Sequence, residues 1–165
     1  MTTQLLPIPF GIPDVGIYPS KLSSELSLTN AKEQECLVMP APTGSDIGAS
    51  TRFSVPATYV GTPLLRLRGY IDGTPANVFG IGATLQQIAV AATVDAAYEA
   101  EDVASNSTWT GYADEELYEI DITLTPASAF TANAEVNLRF YRDDSVDTQT
   151  INFLLVAAFF VFNDA

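Results

Sequence analysis

The side chains best suited to chemistry in this chain are its carboxylates. Nine acidic residues, and no Lys or Arg, fall between Asp95 and Asp121 inclusive. A second group, Asp143, Asp144 and Asp147, directly follows Arg142. Paired carboxylates can hydrolyse glycosides, and carboxylate oxygens bind hard cations such as calcium. Neither group carries a sequence pattern for these tasks. An acidic chain brings carboxylates near one another by composition alone, and runs of like charge usually form solvated faces. Asp143, Asp144 and Asp147 do not match the calcium-loop motif. Arg142 beside them favours a turn closed by a salt bridge. No metal site, no cofactor and no catalytic residue is assigned.

The chain has no histidine, which removes Ser-His-Asp and Cys-His arrangements and histidine metal ligands. Gly80-Ile-Gly82 lacks the third glycine of a dinucleotide fingerprint and lies within a strand pattern. Cys36, the single cysteine, has no cationic neighbour in sequence to activate its thiol. It reads as a buried structural residue, and no intrachain disulfide can form. Trp109 and Tyr112 could stack on sugars in a polar loop, although a lone tryptophan in a β protein is more often packing. Asn106-Ser-Thr108 is a formal glycosylation acceptor that matters only for a secreted chain.

The formal net charge is −13, from seven Lys and Arg against 20 Asp and Glu. Phosphate binding needs basic patches, so no nucleic-acid partner is expected. Anionic membrane surfaces are disfavoured for the same reason. The most apolar stretch, Ile151 to Phe162, has twelve residues, whereas a spanning helix needs about 20. The first residues lack the basic start and continuous apolar run of a secretory signal.

These residues must be positioned by β-structure. The 165 residues suggest one domain. Glu135 to Arg142 alternates, with Val136, Leu138 and Phe140 opposite Asn137, Arg139 and Tyr141, as a strand with one buried face does. Ile151 to Phe162 is apolar on both parities and predicts a strand that needs cover on both faces. Asp143 to Thr148 between them predicts a hairpin connection. Upstream, strands are predicted over 35–39, 51–55, 63–71, 77–92 and 117–125. A bulge is predicted near Gln86-Gln87 and a short helix over 95–105. Proline and glycine punctuation between seven to nine short strands predicts a sandwich or barrel.

Residues 1–32 differ. Pro7, Pro9, Pro13 and Pro19 exclude a helix interior and hold their neighbours extended. Leu5, Leu6, Ile8, Phe10, Ile12, Val15, Ile17 and Tyr18 are too apolar for a disordered tail. The segment reads as an extended arm, 1–32, before a domain at 33–165. The arm needs a surface, either its own domain or a partner by extended-segment recognition; those eight residues are the candidate contacts.

The frame Val55-Pro-Ala-Thr-Tyr-Val-Gly-Thr-Pro-Leu-Leu65, then Leu117 to Thr125, then Leu138-Arg-Phe-Tyr-Arg-Asp-Asp-Ser-Val-Asp-Thr148 and an apolar last strand, resembles the jelly-roll domains of tailed-bacteriophage virions. These include capsid decoration or cement proteins and fibre proteins. The resemblance covers about residues 33–162 and is structural rather than catalytic. It implies an all-β jelly-roll β-sandwich, here preceded by the arm. It also implies a non-enzymatic homotrimer on the virion, with the major capsid protein as partner at the capsid surface. The chain has no collagen-like or coiled-coil shaft, which favours a compact cement protein over a long fibre. The alternative is a fibre-type module that recognises a host glycan through Trp109 and Tyr112.

Overall fold

The computed structural model describes residues 2–8, 18–19, 21–27, 32–71, 73, 77–88, 97–106, 116–126 and 129–164. Eleven strands are present among them: β1 (Thr3–Pro7), β2 (Tyr18–Pro19), β3 (Lys21–Ser27), β4 (Lys32–Met39), β5 (Ile47–Ser54), β6 (Tyr59–Ile71), β7 (Phe79–Ile88), β8 (Asp102–Asn106), β9 (Tyr118–Thr123), β10 (Glu135–Arg142) and β11 (Phe153–Asp164).

They form two sheets. One runs β3-β4-β11-β6-β9, with β1 also paired to β11; the other runs β2-β5-β10-β7-β8. Strands β4 to β11 nest as four antiparallel pairs, β4 with β11, β5 with β10, β6 with β9 and β7 with β8. The pairs alternate between sheets and are joined by β11–β6 and β10–β7 pairing. A long ribbon of paired strands rolled over itself in this order is a jelly roll.

The core lies between the sheets. Alternation supplies it: Val136, Leu138 and Phe140 from β10 meet Leu65 and Leu67 from β6 and Ile120 and Ile122 from β9, all buried. Gly69 on β6 sits where the Phe153 ring needs room. A Cβ there would lie 2.4 Å from the Leu154 carbonyl oxygen and 2.7 Å from Phe153 Cζ.

Several sequence expectations are corrected. Asp143 to Thr148 is not a hairpin, because β10 and β11 lie in different sheets; the segment carries the chain across the sandwich. The helix expected over 95–105 is not formed. Asp102–Asn106 is a strand paired to Phe79–Ala83, since edge pairing on β7 outweighs weak helical spacing. Register between β7 and β10 is continuous through Gln86 and Gln87, so the bulge expected there is absent. The irregularities occur instead in β11–β6 pairing, between Leu155 and Ala157 and between Val161 and Asn163.

The first irregularity changes which β11 residues face inward. Phe153 and Leu155 reach the core, and after the shift so do Ala158, Phe160 and Phe162. Simple alternation groups Phe159 with Phe153, but one extra residue flips the parity. Phe160 then packs against Phe53 at 4.8 Å and edge-on to Phe130 at 5.7 Å between ring centroids.

The arm boundary also changes. Thr3–Pro7 and Lys21–Ser27 are strands of the first sheet, so the division expected at residue 32 does not separate an arm from the sandwich. Extended backbone was legible from the prolines. Its partners are this chain's own strands: β1 lies on β11, β2 on β5 and β3 on β4.

The parity flip is testable by chemical denaturation. Phe160→Ala is expected to cost about 3–5 kcal/mol. Phe159→Ala is expected to cost about 1–2 kcal/mol, the scale of a half-buried ring beside a guanidinium. Equal losses would contradict the bulge.

Candidate functional site

Arg142 continues the inward-facing series of β10 and is fully buried. Its Nε and Nη2 donate to Asp147 Oδ2 and Oδ1 at 2.8 and 2.9 Å. Nη1 donates to the carbonyls of Met39 and Ile151, and Nη2 also to that of Gln149. All five guanidinium donors are thus used. The Phe79 ring lies 5.4 Å from the guanidinium carbon. Asp147 Oδ1 also accepts from the Gln149 amide, and Gln149 Nε2 donates to the Asn77 carbonyl.

The other acidic residues of this turn are structural too. The Asp147 amide donates to the Asp143 carbonyl at 2.7 Å, and Asp143 Oδ1 accepts from the Ser145 amide. Asp144 Oδ1 accepts from the Gly44 amide, and the Asp144 amide donates to Asp46 Oδ1. The acidic run 95–121 is dispersed. Asp95, Asp114 and Glu115 lie outside the described residues. Glu101 accepts from the Tyr141 hydroxyl, Asp102 accepts from the Thr125 amide and hydroxyl, and Glu119 and Asp121 pair with arginines. Among the described residues no group of three or more Cys, Asp or Glu is arranged to hold a metal ion.

The two outward faces differ in chemistry. On the first sheet, Arg66 makes a two-pronged contact with Asp121 at 2.8 and 2.7 Å, and this hydrogen bonding raises its pKa. Arg68 reaches Glu119 at 2.6 Å and lies 5.1 Å above the Phe159 ring. Beside this ladder is an apolar cluster separate from the core: Cys36, Tyr70 and Leu154, with half-buried Val38 and Val156 packed on it. Cys36 is 1% exposed, as its unactivated sequence setting suggests.

On the second sheet the outward row is polar. Arg52 Nε donates to Asn137 Oδ1, and Asn137 Nδ2 donates to Gln86 Oε1, both at 2.7 Å. Arg139 stacks 3.8 Å over the Tyr98 ring. Tyr141 is flanked by Gly48 and Gly82 in the register; its ring occupies the space a Gly82 side chain would take, with Cε2 2.6 Å from the would-be Cβ. Burial, then the hydrogen bond to Glu101, pushes the Tyr141 hydroxyl well above the usual tyrosine range.

The candidate contact residues are split. Ile8 is buried in the chain's own core and its amide donates to the Ala158 carbonyl at 3.0 Å. Leu6 packs against the same core, whereas Leu5 points outward at 45% exposure. Tyr18 pairs in parallel with Ile47. Phe10, Ile12, Val15 and Ile17 lie outside the described residues, as do Trp109 and Tyr112. The Arg52–Asn137–Gln86 row and the Cys36–Tyr70–Leu154 cluster were not singled out from sequence. The outward parity of β10, Asn137, Arg139 and Tyr141, was the available signal.

No family model matches the sequence, and no curated protein matches it. Among solved structures, a chain described as "Xylan-Binding Domain from CBM 22, formally x6b domain" is similar at 16% identity and a TM-score of 0.43, over 87% of this chain and 81% of that one. The jelly roll rests on the strand order above, independently of this likeness.

Two measurements check the site chemistry. Arg142→Ala strands a buried Asp147 and is expected to cost about 3–5 kcal/mol in urea unfolding; Arg142→Met combined with Asp147→Leu is expected to recover part of that loss. Tyr141 stays protonated in the folded chain while the unfolded chain ionises above about pH 10. Its contribution is complete below that pH and falls as pH rises beyond it. The stability gap between the native protein and Tyr141→Phe should therefore narrow above about pH 10.

Proposed function

We propose that this chain is a non-enzymatic adhesive protein of a bacteriophage virion: a cement or decoration protein that binds the capsid exterior as a homotrimer. One observation carries the reading. β11, at the centre of its sheet, is apolar on both faces, and its outward side builds the Cys36–Tyr70–Leu154 cluster with Val156 and Phe159 beside it. A sandwich needs apolar residues only on its inner face. Cys36, Tyr70 and Leu154 are already buried within one chain, so half-buried Val156 and Phe159 are the part of this side that supports contact with another subunit. Apolar area contributes about 25 cal/mol per Å² buried, and three linked copies multiply weak contacts through effective concentration. The net charge of −13 keeps densely displayed copies soluble. The resemblance over Leu138 to Thr148 supplies the virion context and the major capsid protein as partner.

A second reading, recognition of a host glycan, is favoured by the polar outward row of the other sheet. Exposed Arg52 and half-buried Asn137 carry planar polar groups beside Tyr98 and Arg139, with buried Gln86 bonded to Asn137, and Trp109 and Tyr112 are the candidate stacking residues.

The readings separate experimentally. Light scattering on the purified chain should give a trimer, and Val156→Asp or Phe159→Asp should yield folded monomers. Quantitative mass spectrometry of virions should find copies in the hundreds, on the order expected of a capsid-wide lattice. A folded monomer whose state neither substitution changes would sink the trimer. Glycan-array binding lost in Asn137→Ala or Trp109→Ala would move the assignment to the second reading.

A further inference from the structure

β11 is flanked unevenly. On one side β6 follows it along its length. On the other, β4 pairs only with Phe153, Leu154 and Leu155. Beyond these, the flank from Phe159 to Asn163 is covered by β1 alone. The sandwich therefore contains a slot one strand wide, and Thr3–Pro7 fills it.

The slot is specific in a limited way. Main-chain pairing supplies most of the contact, extended at its ends by Ile8 N–H to Ala158 O and Asp164 N–H to Thr2 O, both 3.0 Å. Ile8 is buried in the core and Leu6 packs against it, while Thr3, Leu5 and Pro7 stay exposed. Asn163 and Asp164 add side-chain bonds to Thr3 and Gln4. β1 makes these contacts as an added strand held by backbone ladder and two apolar anchors, the mode of strand-addition recognition.

We propose that β1 is exchangeable, so that Thr3–Pro7 of one copy occupies the β11 slot of a second copy. The occupant is this chain's own sequence, because that is what the slot already fits. Contacts in the exchanged form equal those within one chain, so the balance is set by the connection and by local concentration. Nine residues, 9–17, connect Ile8 to Tyr18, enough to reach about 30 Å when extended. Pro9 and Pro13 within them favour extended backbone over tight reversal. Exchange is a property of the chain in solution and does not depend on the virion reading.

The register supplies the test. Residues 2 and 164, and 8 and 158, are joined by hydrogen bonds, so the alternating pair Leu5↔Val161 is a non-hydrogen-bonded pair. Such pairs have Cα atoms about 4.5 Å apart, within disulfide reach. In a Cys36→Ala background, Leu5→Cys protein and Val161→Cys protein are mixed, unfolded and refolded together at high concentration, then oxidised. The expected result is a reducible band at twice the 17.7 kDa chain mass, well above that from either variant alone. A double variant carrying both cysteines reports on β1 pairing itself. If it closes its disulfide only as a monomer while the mixture gives no heterodimer, β1 stays with its own chain and the inference is overturned. A double variant that closes neither within nor between chains removes the pairing and overturns it as well.

Discussion

The burial of Arg142 is the interaction on which the rest of the sandwich depends. A guanidinium without water is tolerated only when each donor is used and its charge is matched. Here Asp147 takes two donors and three backbone carbonyls take the others. Those carbonyls belong to the end of β4, to the crossing segment and to Ile151, two residues before β11. One side chain therefore fixes where the chain leaves one sheet and enters the other. A hydrophobic residue could fill the same volume, but it would leave the Met39, Gln149 and Ile151 carbonyls to find other partners. The crossing also sets the register of β11, and β11 sets the register of β1, β4 and β6.

That strand meets a second constraint. β11 must place large side chains inward from Phe153 to Phe162 while β6 opposite narrows to Gly69. The irregularity between Leu155 and Ala157 resolves the conflict. It lets Phe153 lie over Gly69 and still brings Phe160 to Phe53 and Phe130. Its consequence is an outward side holding Leu154, Val156 and Phe159, the feature on which the proposed adhesive role rests.

The sequence made much of this legible, and its failures have a common physical cause. Alternation located β9 and β10 closely, because in each an apolar inward row alternates with a polar outward one and the period is then unmistakable. The all-β sandwich followed from proline and glycine spacing. What alternation could not express was which strand pairs with which. Asp143 to Thr148 has the composition of a hairpin turn, yet its Arg142 belongs to the inward series of β10 and marks a buried corner. β11, apolar on both parities, carried no local sign of its bulge. The partners of Glu101, Asp102, Glu119 and Asp121 come from distant strands, so a run of acids looked like one solvated face. Whether Ile8 anchors on its own domain or on a partner stayed open in the sequence, because nothing in the arm's own residues reveals a half-covered strand elsewhere.

The sheet margins explain why that half-covered flank matters. Unpaired strand edges invite association and are usually blunted by charge or by cover. β9 presents Glu119 and Asp121, matched by Arg66 and Arg68. β8 turns Asp102 toward the Thr125 backbone. Phe159 to Val161 on β11 carry no charge of their own; the protection of this flank is a strand. Charge repels a foreign edge whatever its sequence, whereas a strand protects only while it is in place and leaves a matching site when it departs. The chemistry of this margin is therefore that of a socket, and the sequence that fits it is present once in every copy.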